Sequence, residues 1–117
     1  MNIQEYKRIY KNRGNKFHAK TTTYNGRHYH SALEAGYAME LDWMLKAGVI
    51  KEWIPQWKID LRINDVHICN YFVDFKVIFP DDHFEYHEVK GYETDVWKLK
   101  WKMSLAIYGK EKFVLIK

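Results

Sequence analysis

Apolar residues change their spacing several times along the chain, and each spacing predicts an element. Between Ser31 and Lys46, Leu33, Tyr37, Leu41 and Met44/Leu45 recur at the interval of a helix with one buried stripe. Ser31 stands as its N-cap, Glu34 completes a capping-box pattern, and Ala47-Gly48 ends it. After Pro55 the spacing drops to two: Trp57, Ile59, Leu61 and Ile63 alternate with Lys58, Asp60 and Arg62, predicting a strand from Trp53 to Ile63. Asn64-Asp65 makes a turn, and His67–Phe79 reads as a long strand. Pro80-Asp81-Asp82 turns again, His83–Lys90 forms a third strand, and Gly91 breaks it. Thr94 can cap a second helix to about Tyr108, with Trp97, Trp101 and Tyr108 on one stripe and Leu99, Met103 and Ala106 on another. Phe113–Ile116 is a last short strand. Upstream, residues 21–30 hold Asn-Gly between β-prone flanks, a hairpin signal, and residues 5–13 suit a short basic helix ended by Gly14. The order helix, three strands, helix, strand predicts an α/β domain, an antiparallel meander joined by a final strand after a crossover.

Three charged residues break this pattern. Asp74 interrupts YFVDF, and Glu88 and Lys90 close the strand FEYHEVK. Alternation puts Phe84, Tyr86, Glu88 and Lys90 on one face, and sets Tyr71, Val73 and Phe75 against Phe72 and Asp74. Paired through the Pro80 turn, strands ~4.8 Å apart can bring Asp74 near Glu88. Two such carboxylates repel unless a cation bridges them or one is protonated. Hard oxygen ligands favour Mg²⁺ or Mn²⁺ over zinc. Acids and a lysine on an exposed strand face are equally an ordinary surface. The six histidines show no HExxH spacing, and His83 and His87, four apart on a strand, lie too far apart to chelate together.

Charge adds a possible partner. Residues 1–30 hold seven Lys/Arg (Lys7, Arg8, Lys11, Arg13, Lys16, Lys20, Arg27) against Glu5 alone, while the other 87 residues hold twelve bases and fourteen acids. A basic arm interleaved with Tyr6, Tyr10, Phe17 and Tyr24 suits a polyanion such as DNA, or is a solvated tail. Lys98 and Lys102, one helical turn apart, could reach phosphates or merely solubilise their helix. Cys69 alone cannot form an internal disulfide and reads as a small buried hydrophobe. No apolar run approaches the ~18 residues of a membrane helix, and the N-terminus has no secretory signal pattern. A cytoplasmic protein is expected, in a host cell if phage-encoded, with no membrane partner.

The ordered set Asp74, thirteen residues, Glu88-Val89-Lys90 on consecutive strands, after a helix bearing Glu34, resembles the PD-(D/E)XK nuclease superfamily. SALEAGYAMELDWMLKAGVIKEW, YFVDF and EVKGYETDVWKLKWK resemble small phage-borne members and the phage junction-resolving endonuclease I family. The likeness covers about residues 21–117, leaving residues 1–20 as the arm, and departs at Val73, where the superfamily often has proline. It implies a restriction-endonuclease-like core. Asp74 and Glu88 would bind Mg²⁺ or Mn²⁺ with the Val89 carbonyl. Lys90 would orient or deprotonate the attacking water, and Glu34 would hold a second ion or a water beside the first. Ser31 begins the helix carrying Glu34, and Gln56 could approach the site or sit exposed on its strand. The resemblance implies hydrolysis of DNA phosphodiesters, leaving 5′-phosphates. A chain this small would read shape and backbone charge, which favours branched DNA such as Holliday junctions, cut by a homodimer in recombination. A nicking, repair or restriction-type nuclease on duplex DNA, or a nucleic-acid-binding module that no longer cuts, are the alternatives.

Overall fold

The computed structural model describes residues 2–4 and 23–117. The helix expected over residues 5–13 and the arm residues Lys7, Arg8, Lys11, Arg13, Lys16 and Lys20 lie outside the described residues. The chain is α/β, and the described residues form two hairpin strands, a four-stranded sheet and two long helices. Contacts divide it into two compact units, one comprising the chain before Ile54 with Ile78–His83, the other Ile54–Val77 with Phe84–Lys117.

In the first unit, β1 (Thr23–Tyr24) and β2 (Arg27–His28) pair antiparallel across Asn25-Gly26. Both turn residues take positive φ, as a two-residue hairpin turn requires. Helix α1 (Ala32–Lys46) follows, and the Ser31 hydroxyl accepts the Glu34 N–H at 3.0 Å, as the capping pattern predicts. Gly48 at φ 76° ends the helical course, with Val49 N–H donating to the Met44 carbonyl. The stripe is shifted from the expected one. Tyr37, Leu41 and Met44 are buried together with Ala35 and Ala38, while Leu33 and Leu45 are each 39% exposed. Asp42 accepts bonds from the Tyr24 hydroxyl and the Trp53 indole, tying hairpin, helix and the start of the next strand together.

The second unit holds most of the sheet, in order β3 (Glu52–Ile63), β4 (Val66–Ile78), β5 (Phe84–Val89), β6 (Phe113–Ile116). Short turns at Asn64-Asp65 and Phe79–His83 join neighbouring strands, which makes the first three an antiparallel meander. Strand β6 runs parallel to β5, with Tyr86 opposite Phe113 and Glu88 opposite Leu115. A parallel neighbour needs a crossover, and α2 (Asp95–Tyr108) supplies it. The Thr94 hydroxyl caps that helix by accepting the Trp97 N–H at 3.1 Å. Ile59, Leu61, Tyr71, Val73, Trp97 and Phe113 form the core, with Trp101 and a half-buried Cys69 packed against it. Two apolar positions expected inside are outside: Ile63 is 47% exposed at the hairpin tip and Leu99 60% exposed on α2. Helix α2 instead buries Trp97 and Ser104, whose hydroxyl returns to the Lys100 carbonyl.

Candidate functional site

Glu88 is the centre of the buried polar chemistry. It lies near the end of β5, 2% exposed, and three donors reach its carboxylate. The Asp74 N–H donates to Oε1 at 3.0 Å, and the Trp97 indole N–H donates to Oε2 at 2.7 Å. The Tyr71 hydroxyl also donates to Oε2, and Trp97 Nε1 lies 3.2 Å from that hydroxyl. All three donors are neutral.

Asp74 answers from the neighbouring strand. Its Oδ2 accepts the Val89 N–H at 2.9 Å, so each acid takes a backbone amide of the other's strand. The two carboxyls therefore converge in the β4–β5 seam. Simple alternation would set Tyr71 and Asp74 on opposite faces, yet both meet Glu88. They do so because the Asp74 contact runs through its backbone N–H and a side chain turned into the seam. Val73, Asp74 and Phe75 are buried in succession, so both faces of β4 are closed to solvent here.

Burial pushes the Glu88 carboxyl up to about 7, and the neighbouring Asp74 carboxyl pushes in the same direction. Bonds from Tyr71 and Trp97 pull it back down without cancelling the rise. Burial, then Glu88, hold the Tyr71 phenol far above its ordinary range, so it stays a donor.

Lys90 shares the face of Glu88, as alternation predicts. Its ammonium sits over the Trp97 ring, 5.1 Å from the centroid, and makes no ion pair among the described residues. One indole thus touches both residues of the Glu-x-Lys sequence, by its N–H on one and its π-face on the other. The Thr94 cap fixes the backbone that presents this ring.

The remaining expected site residues belong to both units. Glu34, 4% exposed, and Ser31 belong to the first unit, where Glu34 also acts on the Tyr29 phenol. Gln56 lies in β3 with a positive φ of 53°, a local break in the strand. Arg27 sits 5.8 Å from the Tyr29 ring. Lys98 and Lys102 are exposed on α2. His87 is fully buried and bonded to Glu85, while His83 stacks on Phe79 and bonds Asp81. Alternation places Tyr71 on one face of its strand and helical spacing places Trp97 on an apolar stripe, and neither pattern gives them a polar role. A buried phenol and indole each carry a polar atom that needs a partner, and that requirement was the available signal.

A family model described as "Protein of unknown function (DUF1064)" matches residues 14–116. The chain belongs to this family. No curated protein and no solved structure matches it. Among the described residues, no group of three His, Cys, Asp or Glu side chains is placed to hold a metal ion. Two carboxylates on rigid strands still fit a hard divalent cation, because Mg²⁺ is commonly held by one or two carboxylates with its shell completed by water and phosphate oxygens. Glu88 Oε2, with two donors, is filled. Oε1 accepts from the Asp74 N–H, and the Asp74 side chain also hydrogen-bonds the Glu88 carboxyl. No described helix is long and apolar enough to cross a membrane.

Proposed function

We propose that this DUF1064 protein is a Mg²⁺- or Mn²⁺-dependent DNA endonuclease of restriction-endonuclease-like fold, selective for branched DNA and acting as a homodimer. The carrying observation is the convergence of the Asp74 and Glu88 carboxyls across the β4–β5 seam. The element order α1, three antiparallel strands, α2, β6 supports the fold, with both acids on adjacent central strands and Lys90 just past the end of β5.

A divalent ion on Asp74 and Glu88, with the Val89 carbonyl, would supply positive charge where a phosphoryl group gains negative charge. The chain's own residues do the rest. Tyr71 and Trp97 hold Glu88 in one rotamer. Lys90, steered by the Trp97 face, offsets phosphate charge and orients the attacking water, whose oxygen displaces the 3′-oxygen and leaves a 5′-phosphate. Gln56 contacts substrate from β3. Arg27, Lys98, Lys102 and the arm lysines and arginines meet the DNA backbone.

The test is a cleavage assay with Mg²⁺ on four-way junction, flap and linear duplex DNA. Symmetric incision of the junction is expected, lost by at least 100-fold in Asp74→Asn and Lys90→Ala. Preferential cutting of linear duplex would replace the branched-DNA assignment. Equal cutting by parent and both variants would remove the assigned site.

A further inference from the structure

A second group of charges lies in the same unit, outside the carboxylate site. The Lys76 ammonium sits 4.1 Å from the Trp57 ring centroid and 4.5 Å from that of Phe84. The Lys112 ammonium sits 4.5 Å from the same Phe84 centroid. Two radii of 4.5 Å put the nitrogens no more than roughly 9 Å apart, about one Debye length at physiological salt. Both lysines are half-buried, and neither makes an ion pair among the described residues. Like charges gathered on one ring repel, and desolvation strengthens the repulsion. An anion on this group relieves it.

We infer that Lys76 and Lys112, gathered on Phe84, form a binding site for the phosphodiester backbone of a nucleic-acid strand. Two separated ammoniums suit successive phosphates of a polymer better than one small anion. Position supports the same ligand. Phe84 shares a strand with Glu88, four residues away on the same face, about 13 Å along β5. Lys76 follows Asp74 by two residues on β4. A strand laid over Phe84 therefore runs toward the two acids. Ordered by aromatic faces, the lysines lose little further freedom when phosphate arrives. The nuclease reading supplies the identity of the polyanion, and the lysine geometry supplies the site.

The experiment is equilibrium binding of fluorescent duplex and four-way junction DNA in EDTA, followed by anisotropy across about 50–200 mM NaCl. Lys76→Gln and Lys112→Gln should each weaken binding several-fold and lower the slope of log K against log salt by about 1. Lys58→Gln, an exposed lysine elsewhere on the sheet, should do neither. The double Lys→Arg variant should bind as the parent does, which separates lost charge from lost packing. The inference is overturned if the double Gln variant keeps the parental affinity and slope, or if the parent binds neither DNA. If the parent and Asp74→Asn bind alike, and only the lysine variants lose affinity, while no DNA is cut, the inference stands and the nuclease reading falls.

Discussion

At the scale of single residues, the raised Glu88 carboxyl has a thermodynamic signature in the metal-free protein. Between its ordinary value of 4.5 and about 7, the folded state keeps a proton that the unfolded chain has lost. Stability must therefore fall as pH rises through that window, by up to about 3 kcal/mol. Denaturant unfolding in EDTA at pH 5 and pH 8 measures it. Asp74→Asn should flatten the profile and stabilise the protein at pH 8 by about 1 kcal/mol, because an amide oxygen still accepts the Val89 N–H. Asp74→Ala, which orphans that N–H, should destabilise instead. Tyr71→Phe removes a donor that favours the charged form of Glu88. Its cost should be about 1.5–3 kcal/mol at pH 8 and clearly smaller at pH 5. Equal costs at both pH values would mean that the phenol packs without serving the carboxylate.

Elements explain why these residues meet. Thr94 caps α2 and thereby fixes the turn that carries Trp97, so Thr94→Ala should lower stability by about 1 kcal/mol. It should also weaken calorimetric Mn²⁺ binding. Thr94→Ser, which keeps the acceptor, should restore both. The elements themselves were largely legible from the chain. The Asn-Gly hairpin, the Ser31 and Thr94 caps, and the three-strand run each rest on local rules of turn chemistry and periodicity. The convergence of Asp74 with Glu88 was foreseeable from pairing through the Pro80 turn. The holding of Glu88 by Tyr71 and Trp97 was not, because Trp97 reaches it only after the α2 crossover. Nor was the exposure of Leu99 and Ile63 legible: spacing identifies an apolar stripe, and neighbours decide which stripe is covered.

For the whole molecule, charge is the main variable. The chain has a net charge of +4 and an isoelectric point near 9.1, and the excess sits in residues 1–30. Deleting residues 1–16 should flatten the salt dependence of DNA binding, since each phosphate contact contributes about −0.9 to the slope for B-DNA. An unchanged slope would assign the arm another role.

The sequence by itself determined the kinds of element, their order, the caps and turns, and the acids and lysine of the candidate site. Those follow from interactions within a few residues, where backbone sterics and side-chain period govern. Tertiary structure alone decided that an indole and a phenol clamp Glu88, that Lys90 rests on that indole, and that two lysines share the Phe84 ring. Such contacts join residues far apart in the chain, and only burial of a common core sets their distances.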